Sequence, residues 1–343
     1  MTQVFFHFNN NMNLLNVSGS PHVHSDESTK KIMWRVNLAL MPMLLVGLAF
    51  FGLNALLISA VSVVCCVFSQ WLIEKVFFKQ EHSSIGDGSA VVTGLLLAFN
   101  VPATSQMIGL VAIGALVAIG IGKMVFGGLG KNPFNPALVG RVFMLVSFPV
   151  PMTIWPRPGE GIFPTGFDTV SGATPLGVIK ENLSQGMTMQ EITALPDMPS
   201  LCQIFMGHMG GSMGEISAVA ILIGAIYLLC TKVISWHIPV TFIGTAFIFS
   251  GILWLANPEM YVDPLTTILT GGIMLGACFM ATDMVTSPMV KSAQLIFGFG
   301  CGLLTIIIRN WGSYPEGVSF AILLMNAITP LLNRWFKPRR FAA

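Results

Sequence analysis

Ten apolar stretches run through this chain of 343 residues, and most of them approach the length that crosses a lipid bilayer as a helix. About 20 apolar residues are needed to span roughly 30 Å of hydrocarbon. Only 9% of the residues are charged, whereas soluble domains contain about 25%. The sequence therefore predicts an all-α polytopic membrane protein. The predicted spans are 36–53, 55–78, 89–101, 107–126, 136–150, 216–235, 238–256, 265–281, 293–308 and 318–333.

Lysine and arginine are distributed unevenly between the two sides of this predicted bundle. With a cytoplasmic amino terminus, thirteen basic residues lie on the cytoplasmic side and three, Arg157, Lys180 and Arg309, lie outside. Arg141 falls inside a span. Because cytoplasmic loops of membrane proteins are enriched in basic residues, this asymmetry predicts that both termini are cytoplasmic. The 151–214 loop then lies on the outer face.

Five predicted spans precede this long loop and five follow it, so the two halves are expected to cross the membrane in opposite directions. Thr93-Gly94 and Thr270-Gly271 are corresponding landmarks, and glycine-rich spans follow both. The pattern favours two inverted five-helix repeats. The alternative is that these glycines only permit close helix packing. The predicted segments are 1–34, 35–150, 151–214, 215–334 and 335–343.

The outer loop contains the run Ser171-Gly172-Ala173-Thr174-Pro175-Leu176. Pro175 favours an extended conformation for Thr174. The small neighbours predict an open Thr174 hydroxyl that a bulky reactant can reach. An ordinary turn has the same geometry, so these residues alone leave a turn and an attachment site equally favoured.

Other sequence features argue against several kinds of site. The six cysteines are scattered without a CxxC pair, which argues against zinc or iron–sulfur ligation. No feature indicates nucleic-acid binding or a catalytic side chain. Asp87, Asp283 and Arg141 lie in or near spans, where charged groups are ion-path candidates. We expect a structural role for each of them, including a helix cap for Asp87.

The tetrapeptide S-G-A-T at 171–174 resembles the flavinylation motif of the RnfD/NqrB family of redox-driven ion pumps. Four other stretches are similar to the family, and the likeness extends from residue 17 onward. It is closer to the RnfD branch, because the longer amino-terminal extension of the NqrB branch is missing. The similar stretches are GGLGKNPFNPALVG at 127–140, SAVVTGLLLAFNVP at 89–102, MATD at 280–283 and YPEG at 314–317.

This resemblance implies a flavoprotein component of an ion-translocating ferredoxin:NAD oxidoreductase in the bacterial inner membrane. Thr174 would carry FMN as a phosphoester, with Ser171, Gly172 and Ala173 completing the motif. A separate flavin transferase would attach the FMN. The A, B, C, E and G components of the Rnf complex would be partners, and Na⁺ or H⁺ would be the transported ion.

The resemblance also implies a second, non-covalent flavin, riboflavin, near the cytoplasmic side, with Asn132 and Asn135 as candidate contacts. Amide groups both donate and accept hydrogen bonds. However, Asn135 before Pro136 is typical of a helix start, with an amino-terminal cap followed by proline. Capping is the favoured role for Asn135, and the two roles are compatible.

Two other functions remain open at the level of sequence. An NqrB-type component of a Na⁺-pumping NADH:quinone reductase would differ in its partners and electron acceptor. A passive channel or transporter without redox chemistry would equally contain glycine-rich helices and an inverted repeat.

Overall fold

The computed structural model describes residues 27–79, 83–158, 171–195, 198–312, 314 and 316–337. Within these ranges the chain forms fourteen α-helices and one β-ladder with two residues in each strand. The prediction of a helical, polytopic membrane protein is confirmed. The number of ten spans and the inverted arrangement of the halves stay predictions.

The helices and strands are grouped by the predicted segments 35–150, 151–214 and 215–334, which we call the first half, the loop and the second half. The first half contains α1 (Thr29–Leu72), α2 (Ser89–Phe99), α3 (Met107–Ile119), α4 (Pro136–Ser147) and α5 (Pro149–Thr153). The loop contains β1 (Trp155–Pro156), β2 (Ser171–Gly172), α6 (Pro175–Ser184), α7 (Met189–Thr193) and α8 (Leu201–Met206). The second half contains α9 (Ala218–Cys230), α10 (His237–Ala256), α11 (Pro264–Leu269), α12 (Ile273–Leu275), α13 (Lys291–Trp311) and α14 (Val318–Trp335).

Helix α1 is too long to be one straight crossing. Its 44 residues would extend about 66 Å at 1.5 Å per residue. Gly52 interrupts the helix with φ 59° and ψ −136°, a conformation that glycine adopts without the cost of a Cβ clash. The interruption lies at the boundary between the predicted spans 36–53 and 55–78, so α1 supplies two helical segments rather than one.

The lengths of the helices and the apolar surface of the bundle are both suited to the hydrocarbon core of a membrane. Four helical segments are long and apolar enough to cross a membrane: Thr29–Phe77, Met107–Met124, His237–Ala256 and Lys291–Trp311. The two short predicted spans, 89–101 and 136–150, form helices of 11 and 12 residues. Many large apolar side chains point outward, and Leu255 is 74% exposed. Such a surface is compatible with lipid and would be an aggregation hazard in water.

Several glycines lie where helices approach each other closely. A Cβ on Gly302 of α13 would lie 2.6 Å from the Phe242 carbonyl oxygen of α10, and a Cβ on Gly298 would lie 2.9 Å from the Ile238 carbonyl oxygen. Small residues at helix contacts let the backbones approach. These glycines therefore have a packing role. Close helix packing explains their presence whether or not the chain contains an internal repeat.

The proposed landmarks Thr93-Gly94 and Thr270-Gly271 have different local structures. Gly94 lies inside α2, where a Cβ would meet the Val63 Cα of α1 at 2.7 Å. Gly271 has φ +63° and lies in the turn between α11 and α12. The first glycine permits close packing and the second permits a break in the helix.

We expect Gly302→Ala to lower the free energy of unfolding by about 1–3 kcal/mol, because the added methyl group meets the backbone of α10. Gly244→Ala in α10 is the matched control, because no atom lies within 4 Å of its Cβ position. Thermal unfolding in detergent measures both. Equal transition temperatures for the two variants would contradict the packing role of Gly302.

Candidate functional site

Hydrogen bonds fix the backbone on both sides of Thr174. Strand β2 pairs antiparallel with β1, so that Ser171 lies opposite Pro156 and Gly172 lies opposite Trp155. Thr174 is the amino-terminal cap of α6, with φ −67° and ψ 154°, and its Oγ1 accepts a hydrogen bond from the Gly177 N–H at 3.0 Å. The extended conformation predicted for the residue before Pro175 is therefore confirmed.

The Thr174 side chain is only 6% exposed. The prediction of an open hydroxyl is wrong for this chain by itself, because capping turns the hydroxyl toward the first turn of α6. Ala173 is the exposed residue of the motif. The side chain of Ser171 lies outside the described part of the structure.

A cavity of about 690 Å³ lies beside the motif and is lined by Ala173 and Pro175. Its volume is within the range of small-molecule sites. The Arg157 side chain also lines this cavity and packs directly over Gly172, since a Cβ there would lie 2.5 Å from Arg157 Cγ. A guanidinium group and the amino terminus of a ten-residue helix together favour an anionic group such as phosphate.

Asn132 and Asn135 lie together at the end of the bundle where α1 begins. Asn135 Oδ1 accepts from the Ala137 N–H at 3.1 Å, which confirms the predicted helix cap, and its Nδ2 donates to the Met280 carbonyl at 3.2 Å. Asn132 Nδ2 donates to the Phe134 carbonyl, whereas its buried Oδ1 has no partner among the described residues. The cavity that both asparagines line is about 70 Å³, well below the usual size of a ligand pocket.

Lys123 lies at this same end and is only 1% exposed. Its Nζ donates to Gln70 Oε1 at 2.8 Å and to Ser89 Oγ at 2.6 Å. Asp87 Oδ1 accepts from the Ser89 N–H at 2.7 Å, but the predicted cap is wrong in position, because Gly88 is the residue that precedes α2 and Asp87 lies one residue earlier. Asp283 Oδ2 accepts from Thr286 Oγ1 at 3.0 Å. These internal contacts agree with structural roles for both aspartates.

A buried ion pair joins the two halves of the chain. Arg141 of α4 pairs with Glu316, which lies just before α14. Arg141 also donates to Asn100 Oδ1 at 3.0 Å and to Ser319 Oγ at 2.7 Å. Arg141 and Asn100 are 4% and 1% exposed, so these contacts occur in the interior.

Two more charged residues lie within electrostatic reach of this pair. Glu215, just before α9, interacts with the charges of Glu316 and Arg141, and its buried Oε1 has no hydrogen-bond partner among the described residues. Arg309 of α13 donates to the carbonyls of Thr267 and Thr270, where α11 ends. We refer to Arg141, Glu215, Arg309 and Glu316 as the charge cluster.

The sequence indicated only part of the charge cluster. Arg309 was counted among the basic residues of the outer side, and the sequence did not indicate that its side chain is buried, at 8% exposure. Glu316 was noticed only as part of the YPEG stretch, and Glu215 was not singled out. The available signal was that each acid lies one to three residues before an apolar helix.

A helical bundle with outward apolar side chains and charges buried between its halves is typical of an integral membrane protein, and the buried charges of such a bundle are candidates for an ion path. The chain belongs to the NQR2, RnfD, RnfE family, which matches residues 16–342.

Relatives in this family are similar to the chain over almost its whole length. It is 42% identical over 329 residues to the D subunit of the proton-translocating ferredoxin:NAD(+) oxidoreductase complex of Clostridium ljungdahlii, with 96% of each chain covered. It is 44% identical over 333 residues to the D subunit of the Na(+)-translocating complex of Acetobacterium woodii, again with 96% of each covered. It is 36% identical to the D subunit of the ion-translocating oxidoreductase complex of Cronobacter sakazakii, covering 94% of this chain and 97% of that one.

We expect Arg141→Met to destabilise the protein by about 3–5 kcal/mol, because Glu316 is then left buried without its partner. The double variant Arg141→Met/Glu316→Leu should recover part of this loss. Arg35→Met is the matched control, since Arg35 and Glu27 form a more exposed pair that should contribute less than about 1 kcal/mol. Chemical denaturation in detergent measures all three. Strictly additive losses in the double variant would contradict the coupling of Arg141 and Glu316.

Proposed function

We propose that this chain is the D subunit of an Rnf-type complex that couples electron transfer between ferredoxin and NAD to translocation of Na⁺ or H⁺. The observation that carries the proposal is the near full-length match to relatives named for this activity. Their names favour a ferredoxin-linked complex over a quinone-reducing NqrB-type pump or a passive transporter. The names do not identify the transported ion, because one relative is named for protons and the other for sodium.

The proposed cofactor is FMN, joined as a phosphoester to Thr174. The residues around Thr174 fit such a group, because Arg157 and the α6 amino terminus both favour a phosphate, and a ligand-sized cavity adjoins the motif. A bound FMN would supply one-electron and two-electron transfer. The β1–β2 ladder and the cap at Thr174 would hold the segment that carries it. A flavin transferase must reach a hydroxyl that is covered in the folded chain.

Riboflavin is the proposed second flavin, at Asn132 and Asn135. Asn132 Oδ1, which has no partner in the part of the chain that the structure describes, is suited to accept a hydrogen bond from a ribityl hydroxyl or a ring N–H. The cavity of about 70 Å³ requires the surrounding helices to separate before a flavin can enter.

The proposed assembly is the bacterial inner membrane complex, with the A, B, C, E and G components of Rnf as partners. Both termini would be cytoplasmic and the α6 end of the bundle would face outward, as the distribution of lysine and arginine predicts. An exposed Ala173 beside the cavity would then let a neighbouring protein of the complex approach Thr174.

The charge cluster is the proposed element that responds to the moving ion. Two carboxyl groups and two guanidinium groups lie there within electrostatic reach of one another, so an added cation would change the electrostatic energy of the whole cluster in a medium that screens poorly. Glu215 is the candidate for contact with the ion, because its Oε1 is buried without a partner among the described residues.

For the flavin, denaturing electrophoresis should give a fluorescent band from cells that contain the transferase. Thr174→Ala and Thr174→Asn should both abolish it, because neither has a hydroxyl. Asn is itself a good helix cap, so the second variant separates loss of attachment from loss of α6 stability. Thr188→Ala removes another helix cap and is the control. A fluorescent Thr174→Asn band, or a non-fluorescent wild-type band, would contradict the proposal.

For the ion, Glu215→Gln should lower ferredoxin-driven Na⁺ or H⁺ uptake into vesicles by about tenfold or more, because an amide, unlike a carboxyl group, can neither exchange a proton nor become an anion that binds a cation. Flavin fluorescence on Thr174 should be unchanged. Glu191→Gln, an exposed acid of α7 whose place in the capping box glutamine can also fill, is the control. Uptake at the wild-type rate with bound flavin intact would exclude Glu215 from the ion path.

A further inference from the structure

A second cavity at the α6 end has no role in the proposed electron transfer. It is about 550 Å³ and lies between α6 and the ends of α10 and α13. Leu176, Ile179, Lys180 and Leu183 of α6 line it, whereas Pro175, Val178, Glu181 and Asn182 line the cavity beside the flavin motif. The two cavities therefore lie on different faces of α6.

Two cationic side chains line this second cavity, Lys180 and Arg309. Neither forms an ion pair within the part of the chain that the structure describes. Lys180 Nζ donates to the carbonyls of Gly312 and Tyr314, and burial lowers the pKa of Lys180. Arg309 is 8% exposed, and its Nε has no partner among the described residues. Glu259 is the one acid among the described lining residues, so two cations and one acid line this cavity, and Arg309 also interacts with Glu215 and Glu316 of the charge cluster behind it.

Aromatic residues mark the depth of this cavity in the membrane. Tyr261 and Trp311 line it, with ring centroids 6.5 Å apart. Tryptophan and tyrosine are enriched where lipid headgroups meet hydrocarbon. On α10 the neighbouring Leu255 and Ile252 are 74% and 58% exposed, as expected for lipid-facing side chains. The cavity thus combines cationic groups at headgroup depth with apolar walls.

We propose that this cavity binds the phosphate of an anionic phospholipid, with Arg309 and Lys180 facing the phosphate and Ile179, Leu183 and Ile306 contacting the start of an acyl chain. Guanidinium and ammonium groups are the usual protein partners of phosphate. A small soluble anion would make no apolar contacts with the hydrophobic wall. A neutral quinone would leave the two cationic side chains without an anionic partner. The volume of about 550 Å³ suits a headgroup with the first part of a chain.

The test uses the whole purified complex, delipidated in neutral detergent and titrated with phosphatidylglycerol under native mass spectrometry. Lys180→Gln should weaken phosphatidylglycerol binding about five-fold, because a cation near a lipid phosphate contributes roughly this factor. Arg309→Gln should weaken it at least as much. Lys291→Gln, an exposed lysine at the start of α13, is the control and should bind like wild type. Lys180 lies on α6 in the loop, so we expect the Lys180→Gln complex to assemble. This variant therefore still tests the site if the complex with the buried Arg309→Gln substitution does not assemble.

Three other results would overturn the lipid assignment. Equal affinity of phosphatidylcholine and phosphatidylglycerol would remove the need for an anionic headgroup. Full competition by inorganic phosphate alone would assign a soluble anion to the cavity. An equal loss of binding in Lys180→Gln and Lys291→Gln would indicate general attraction to the protein surface and no specific site.

Discussion

The ion pair between Arg141 and Glu316 is the interaction on which the junction of the two halves depends. The partners are 175 residues apart in the chain and are almost fully buried. A buried charge without a partner costs several kcal/mol, so any packing that separated these residues would be strongly disfavoured. Asn100 and Ser319 complete the contacts of Arg141 from a helix of each half. The pair therefore specifies the position of α4 relative to the start of α14. Apolar packing alone would allow a wider range of relative positions.

Glycines play the corresponding role where helices of the same half meet. Gly298 and Gly302 bring α13 against the backbone of α10, and Gly94 brings α2 against α1. In lipid, helix association depends on close packing more than on burial of apolar area. Gly224 of α9 likewise lies against the Ala39 backbone of α1, so small residues serve contacts within and between the halves, and the Arg141–Glu316 pair adds a charged contact between them.

The sequence predicted those features that depend on neighbouring residues. Asn135-Pro136 predicted a helix cap and Pro175 predicted an extended Thr174. The boundary predicted between the spans 36–53 and 55–78 lies about two residues from the break observed at Gly52. The burial of Thr174 was not predicted, because small neighbours do not determine which way a hydroxyl turns. Glu215 and Arg309 were missed for a related reason. Each lies near a helix end, where acids and bases are usually solvated, and only contacts across more than 35 residues bury them.

A short line of contacts connects the Thr174 segment with the charge cluster. Gly271, in the break between α11 and α12, has no side chain, and a Cβ there would lie 2.8 Å from Leu176 Cδ1 and 2.5 Å from Arg309 Nη2. Leu176 is only two residues beyond Thr174, and Arg309 is held by carbonyls at the end of α11. A displacement of the first turn of α6 must therefore press on the same break that positions Arg309. Because Arg309 also interacts with Glu215 and Glu316, a change of charge at Thr174 and a change of ion occupancy in the cluster would act on one shared structural element.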